Sequence, residues 1–358
     1  MKQIDLVAKG IRLVLEDNVL AVISEKTLDT ASSAFHNGGG QKKTKAVLNI
    51  QVTRGYGDRL LHEDPDAFIV ASAKKIGLTE DFVGMVTAAA VKNFALASKR
   101  EGDIGVSVVA TAADDEGNTC SHSESAGEKI QVQPIDGTIN IIVIIDGNPT
   151  ESALISSIIT ATEAKTAALR ELDLRSRYSG DEATGTVTDA IVVAKTSRGQ
   201  PIVYAGPASK LGQLVGYCTR TAVKEATMKG HECAPDRGIQ KRLTERHLSI
   251  EKLASELAKA KFLGADQKTI KATLTNLLET DAVFASALFA ASQISEEFEQ
   301  GRNPREFGDA ETLGQEFGEL LSKQANAKRT GPEDCDGIDL PVFLKQALIA
   351  LIRNRFSG

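Results

Sequence analysis

The sequence predicts a mixed α/β (α+β) domain, a sheet flanked by helices, followed by an all-helical domain. Three observations predict it. The chain has 358 residues, and a single hydrophobic core stops growing near ~250, so two domains are expected. Up to about residue 230, β-branched residues and glycines dominate in short runs that suit strands. Beyond about residue 240 these thin out, and Ala, Leu, Glu, Lys and Gln recur at helical spacing. The expected division is 1–230, a linker at 231–240, and 241–358.

In the first part, strands are expected at residues 12–15, 19–23, 46–52, 104–110, 138–145, 190–194 and 201–204. Two helices interleave with them. Asp146 and Gly147 make a turn, Asn148 is placed to cap, Pro149 suits a first helical position and Glu151 can close a capping box. Leu154, Ile155, Ile158, Ile159, Ala164, Ala168 and Leu172 then recur at helical spacing. A second helix starts near Ser209 and stops at Lys229 and Gly230, a cationic last turn before a residue tolerant of a left-handed backbone. In the second part Ser249, Asp266 and Asp281 cap three helices, the first two running to about residues 262 and 279. A Gly/Pro/Arg break at 301–305 precedes two more, near 312–327 and 341–355.

Composition narrows the function. With 42 Lys and Arg against 48 Asp and Glu, the formal net charge is −6, which gives no electrostatic footprint for a phosphate backbone; nucleic acid is not an expected partner. The four cysteines, Cys120, Cys218, Cys233 and Cys335, are too sparse for a disulfide scaffold or a zinc knuckle, which fits a reducing cytoplasm. Charged residues among the first 17 break up any secretory signal, and the apolar run 141–145 is far shorter than the ~20 residues that cross a bilayer. The expectation is a soluble cytoplasmic protein, without a membrane partner, acting on a small molecule.

Several residue groups can carry chemistry. His36 leads Asn37, Gly38, Gly39 and Gly40: consecutive glycines let backbone N–H groups turn toward a bound oxygen, Asn37 can donate, and His36 can move a proton near neutral pH. A flexible turn is the competing reading. Thr138 and Asn140 open the most apolar strand, and Thr184, Gly185, Thr186, Thr188 and Asp189 open another. Alternating threonines face one side of an extended segment and can line a wall, though threonine is also a good strand former. Glu163 and Lys165 lie in the first long helix at a spacing that puts them on different faces. Cys120, His122 and Glu124 stand at alternate positions from which an extended loop can aim all three at a metal. In the helical part Asp281, Glu296, Glu297, Glu299, Asp334, Asp336 and Asp339 are carboxylates of the kind Mg²⁺ prefers, although acidic helical runs are usually solvated.

The order and wording of these segments are specific. Gly137-Thr138-Ile139-Asn140, then Ala161-Thr162-Glu163-Ala164-Lys165, then Ala183-Thr184-Gly185-Thr186 with Thr188-Asp189, then Tyr204-Ala205-Gly206 with Ser209-Lys210, closely resemble the adenosylcobinamide amidohydrolase family, CbiZ. Asn37-Gly38-Gly39 and Leu48-Asn49 match an earlier signature of that family. The resemblance spans nearly all of residues 1–230 and implies hydrolysis of the amide joining a corrin side chain to aminopropanol, releasing adenosylcobyric acid for salvage into coenzyme B12. It implies a corrinoid substrate that brings its own cobalt, so that no cofactor is required of the protein. The catalytic candidates are then Glu163 or Asp189 to activate water or a Thr hydroxyl, Asn37 with the Gly38 to Gly40 backbone for the oxyanion, Lys165 for positive charge, His36, and Thr186 as a covalent nucleophile in one variant. Gly38, Gly39, Asn49, Thr138, Asn140, Thr184, Gly185, Thr188, Gly206, Ser209 and Lys210 are the expected substrate contacts.

More faintly, the segment 246–254, Ser295 to Glu299 and Gly337-Ile338-Asp339 resemble the helical alpha-ribazole-phosphate phosphatases of archaeal B12 synthesis. That implies a bifunctional chain of the CbiS type, with Mg²⁺ held by Glu296, Glu299 and Asp339. Ser295 and Leu340 depart from the phosphatase pattern. The alternative is a non-catalytic corrinoid-binding or regulatory protein with a structural helical domain; either kind can form a homo-oligomer.

Overall fold

One long bent strand organises the first half of the chain. The computed structural model describes residues 2–52, 59–79, 81–112, 138–186, 188–229, 236–260, 263–302, 308–322 and 337–353. Contacts divide it into two units, Met1–Asp236 and Arg237–Gly358. In chain order the strands are β1 (Lys2–Asp5), β2 (Ile11–Glu16), β3 (Val19–Ser32), β4 (Gly39–Gln51), β5 (Phe82–Thr87) and β6 (Ala95–Glu101). They continue as β7 (Ile104–Thr111), β8 (Asn140–Asp146), β9 (Asn148–Pro149), β10 (Ala190–Lys195) and β11 (Pro201–Ile202). The helices of this unit are α1 (Arg59–Glu63), α2 (Pro65–Lys75), α3 (Glu151–Glu171) and α4 (Lys210–Met228).

The start of β3 is flanked by β2 and β4, and its end by β10 and β4. A register shift between Ile23 and Leu28 separates the two halves; irregularities of this kind bend a strand, and the mixed sheet, nine-stranded among the described residues, curls into a half-barrel. β10 runs parallel to β8, and β7 and β6 follow antiparallel. The concave face is filled by Leu13, Leu20, Leu28, Met85, Val109, Ile142, Ile144 and Val192. On the convex face Ile141, Val143, Ile145 and Val193 pack under Leu154, Ala161, Leu214 and Val215 of α3 and α4. α2 covers β4 and β5 through Phe68, Ile69 and Ala73. β8 is buried on both faces, which is why its sequence reads as a continuous apolar run.

The structure corrects some expected boundaries. Thr150 caps α3 by accepting the Ala153 N–H at 3.3 Å, whereas Asn148 and Pro149 pair with Pro201 and Ile202 in a two-residue ribbon. Ser209 caps α4 as expected, accepting the Gly212 N–H at 3.0 Å. A Cβ on Gly212 would sit 1.9 Å from the Gly206 carbonyl, so only glycine lets that loop fold over the first turn. β1, β5, β6, α1 and α2 were not expected, and β3 and β4 run well beyond the expected segments.

The second unit is helical: α5 (Ile239–Glu245), α6 (Ile250–Leu257), α7 (Gln267–Thr280), α8 (Ala282–Glu299), α9 (Ala310–Leu321) and α10 (Val342–Ile352). Ser249, Asp266 and Asp281 cap α6, α7 and α8 as their spacing predicts, and Asp309 caps α9. α6 ends before residue 262, and α5 was not expected. Leu253, Leu257, Ile270, Leu274, Leu288, Leu344 and Leu348 form the core. Among the described residues no single helix is long and apolar enough to cross a membrane.

Candidate active site

Asp189 sits immediately before β10, where β8 and β10 begin side by side with Asn140 opposite Ala190. Its carboxylate accepts four hydrogen bonds from three segments. Oδ1 takes the Ile139 N–H at 3.0 Å and the Thr186 hydroxyl; Oδ2 takes the Thr186 N–H at 3.1 Å and the Lys165 ammonium. Lys165 reaches in from α3, and the two charged side chains are only 8% and 12% exposed. Withdrawing two charges from water costs several kcal/mol per ion, offset only where the pair is close and its remaining polar atoms are satisfied. The extra donors on Asp189 meet that condition for the carboxylate.

Gly185 makes the closure possible. A Cβ there would lie 2.4 Å from Asp189 Oδ2 and 2.5 Å from Lys165 Nζ. The same segment is tied to α3 by the Thr166 hydroxyl, which donates to the Thr184 carbonyl at 3.1 Å. Thr166, like the Ile139 N–H, escaped the reading of the sequence; the only signal for it was its place beside Lys165.

Strand alternation turns Thr138 and Asn140 to the concave side and Ile139 to the convex side. The Thr138 and Thr188 hydroxyls lie 2.6 Å apart. The Asn140 amide donates to Asn49 Oδ1 at 2.8 Å and to the Val86 carbonyl at 2.9 Å, and Asn49 donates to the Thr111 hydroxyl at 2.8 Å. Four strands are thus stitched together by three buried polar side chains. Among the described residues, the buried atoms Asn140 Oδ1 and Ser32 Oγ have no hydrogen-bond partner.

The His36 loop lies against β5. His36 and Gly84 exchange backbone hydrogen bonds at 3.1 Å in both directions. The ring stacks on Phe82 with centroids 4.9 Å apart, and its Nδ1 stands 2.7 Å from Asp66 Oδ1 on α2. Asn37 Nδ2 donates to the Phe82 carbonyl at 3.0 Å and lies 3.0 Å from His36 Nε2. This network makes Nε2 the acceptor and places the ring proton on Nδ1, facing Asp66. Both amide hydrogens of Asn37 are therefore committed. Gly38 is required because a Cβ would sit 2.0 Å from the Ala34 carbonyl, and Gly39 has φ +104°. β5 links this loop to the Asn140 network: Gly84 meets His36, and Val86 lies two residues, ~7 Å, further on.

The remaining expected residues lie elsewhere. Glu163 is exposed on α3. Gly206 and Ser209 build the start of α4, the Ser209 hydroxyl donating to the Gly206 carbonyl at 2.8 Å, and Lys210 pairs at 3.4 Å with Glu101. In the helical unit Glu296 is held by Arg246 at 3.1 Å. Glu299 and Asp339 line a cavity of about 510 Å³ with Lys252, Ser295, Phe298 and Phe343. Glu296 thus faces a guanidinium, and among the described residues no three His, Cys, Asp or Glu side chains are placed to hold a metal. Asp281 serves as the α8 cap. Cys120, His122, Glu124, Gly137, Asp334 and Asp336 lie outside the described residues.

The family model of adenosylcobinamide amidohydrolases, CbiZ, matches residues 5–235, nearly the whole first unit. The chain belongs to that family. Adenosylcobinamide amidohydrolases are hydrolases of an amide C–N bond, and the family places this protein in corrinoid salvage with a corrinoid substrate. The Asp189 cluster, the Asn140 network and the His36 loop all fall within the matched residues, while the helical unit lies beyond them. An adenosylcobinamide amidohydrolase of Methanosarcina mazei is 29% identical over 201 residues, 54% of this chain and 83% of that protein. An uncharacterized protein of Methanocaldococcus jannaschii is 33% identical over 206 residues, 53% of this chain and 79% of its own length. Among solved structures, a Pyrococcus horikoshii protein covers 62% of this chain and 82% of its own at 14% identity and TM-score 0.30. A Burkholderia beta-aminopeptidase covers 63% and 84% at 12% identity and TM-score 0.33. Both structural likenesses are too loose to bear on mechanism.

Proposed function

We propose that this amidohydrolase cuts the amide joining the corrin side chain to aminopropanol in adenosylcobinamide, with Thr186 as nucleophile and Asp189 as its base. The supporting observation is the Thr186 hydroxyl donating to a largely buried carboxylate that Lys165 holds in place. A hydroxyl bonded to an adjacent base that is itself oriented by a third group is the arrangement nucleophilic catalysis needs. In this reading Thr186 Oγ attacks the amide carbon as its proton passes to Asp189. That proton then goes to the nitrogen as the C–N bond breaks, and free aminopropanol leaves. Water, losing a proton to Asp189, cleaves the Thr186 ester; the proton returns to Oγ and adenosylcobyric acid departs. Glu163, exposed and apart from the cluster, has no step. Cobalt arrives within the substrate, and Lys165 supplies the positive charge.

The test is release of aminopropanol from adenosylcobinamide by the purified protein. Thr186→Ala should abolish turnover while leaving corrinoid binding nearly intact; full activity in that variant removes the covalent step. Tight binding without release by the natural protein supports the alternative, a corrinoid-binding protein. For the helical unit, release of phosphate from alpha-ribazole phosphate is the second activity proposed, resting on the cavity that Glu299 and Asp339 share. Loss in Asp339→Asn supports it, and no release by the intact chain leaves an accessory domain.

A further inference from the structure

We infer that Ser32 and Asn140 form a subsite on the concave face of the sheet that reads the polar end of the leaving amine. The inference rests on the amidohydrolase reading above and adds to it a residue, Ser32, that sets specificity.

Register places the two side chains on one face. Ser32 is opposite Val192, Val192 is opposite Ile142, and Asn140 precedes Ile142 by two residues. Residues directly opposite one another, and residues two apart on a strand, share a face. Val192 and Ile142 belong to the concave core, whereas Ala31, next to Ser32, belongs to the convex one. Ser32 and Asn140 therefore both face inward, where the apolar lining gives way to Asn140, Ala190, Thr138 and Thr188.

Each side chain carries a buried polar atom to which, among the described residues, nothing is bonded: Ser32 Oγ and Asn140 Oδ1. Asn140 is 1% exposed, and its orientation is not interchangeable. Its Nδ2 donates to two oxygens, Asn49 Oδ1 and the Val86 carbonyl; turning the amide over would set oxygen against oxygen. With Asn49 held in turn by Thr111, Oδ1 is a preorganised acceptor that can take only an N–H or O–H. Ser32 Oγ can donate or accept. Buried polar atoms are nearly always satisfied, and unsatisfied ones point to a ligand or a water.

The spacing suits a secondary amide with a hydroxyl two carbons from its nitrogen. Two strand spacings of ~4.8 Å and two residues of ~3.3 Å separate the Ser32 and Asn140 Cα atoms by ~12 Å. The amide nitrogen and hydroxyl oxygen of such a group lie ~3 Å apart, and a ~2.9 Å hydrogen bond at each end bridges protein atoms ~6–9 Å apart. Two inward side chains account for the rest. The amide end falls at Asn140, adjacent to Ile139, whose N–H binds the candidate base Asp189. The hydroxyl end falls at Ser32, toward Ala34 and Ala190, which are among the smallest side chains of the concave core.

The experiment compares amide hydrolysis by the whole protein on adenosylcobinamide and on an analogue with propylamine in place of aminopropanol. The natural protein should prefer the hydroxylated substrate by at least about tenfold in kcat/KM, because a site built to bond a hydroxyl discriminates against its absence. Ser32→Ala should reduce that preference to within about threefold, mostly through KM, and leave the propylamine substrate unchanged. It should also melt no lower than the natural protein, since it removes an unsatisfied atom. Amine release with no preference, with a preference that survives Ser32→Ala, or with a clearly lower melting temperature overturns the subsite alone. No amine release from either substrate overturns the hydrolase reading, and the subsite with it.

Discussion

Lys165→Met tests the centre of the candidate site most directly, because methionine keeps much of the side chain's length and removes only the ammonium. Asp189 would then remain 12% exposed with its counter-charge gone. Breaking a buried pair by deleting one partner costs ~3–5 kcal/mol, since the surviving charge is uncompensated. Three donors remain, the Ile139 N–H and the Thr186 N–H and hydroxyl, and hydrogen bonds to a charged group contribute ~1.5–3 kcal/mol each. The loss should therefore fall near the lower end, ~3 kcal/mol. In a unit of 236 residues each kcal/mol moves Tm by ~2–4 °C, so the first unit should melt ~6–12 °C lower by scanning calorimetry. The double variant Lys165→Met with Asp189→Asn removes the orphaned charge as well and should recover part of that loss, while aminopropanol release stays abolished in both. A single variant that melts within ~2 °C of the natural protein, or a double variant less stable than the single, would refute the assignment of a buried, mutually dependent pair.

Three further outcomes follow from the same geometry. Gly185→Ala puts a methyl group 2.4 Å from Asp189 Oδ2 and 2.5 Å from Lys165 Nζ; the pair must separate, and aminopropanol release should fall at least about tenfold, whereas unchanged turnover would mean the pair is not needed as placed. Burial pushes the Cys218 thiol up to about 11, with the Lys99 charge acting weakly the other way. At pH 8 its thiolate fraction is ~100-fold or more below that of an ordinary cysteine, so mass spectrometry should find Cys218 unlabelled by iodoacetamide until the protein is unfolded. In the helical unit burial acts upward on Glu256, but Lys259, the Asp339 N–H and the charges of Lys259 and Lys252 outweigh it and hold the carboxyl below its usual range. A folded value below the unfolded ~4.3 means stability that is complete above that pH and lost as pH falls through the folded value. The helical unit should therefore weaken below about pH 4, and an acid titration as steep in Glu256→Gln as in the natural chain would count against this.

What could be read from the sequence was local. Ser209, Ser249, Asp266 and Asp281 cap the helices that follow them, because an N-cap is decided within three residues. β8 was legible because both its faces are buried. β1 and β6 were not: they form the edges of the main strand path and carry polar stretches such as Ser98 to Glu101, so neither an apolar run nor an alternation announces them. Asn148 and Pro149 mimic a helix start, yet a proline's fixed φ suits an extended residue equally, and Thr150 two positions on does the capping. The site followed the same rule. Spacing showed that Glu163 and Lys165 point apart, but only the packing of α3 on the sheet decides which one is buried. The bond from Thr186 to Asp189 spans three residues, whereas those from Lys165 and Ile139 span 24 and 50.

Three features that each oppose stability meet where β8 and β10 begin. A lysine ammonium is buried, a glycine occupies a segment that could otherwise carry a side chain, and two inward polar atoms nearby go unbonded. Each has a more stable substitute: apolar residues of similar volume often match or exceed a buried ion pair, alanine in place of the glycine restricts the unfolded chain once that pair is gone and its methyl group has room, and an apolar group in place of an unsatisfied hydroxyl removes its desolvation penalty. Local rules are expected to fail together where a protein works rather than where it merely folds. Gly206, Ser209 and Lys210 make the contrast: their bonds shape and anchor the first turn of α4, and none of their side-chain atoms is among the buried, unbonded ones of the described residues. Structural economy accounts for α4, and it does not account for Asp189, Lys165 and Gly185; their placement is what the proposed chemistry requires, with a hydroxyl, a carboxylate and an ammonium held together beside an entering amide.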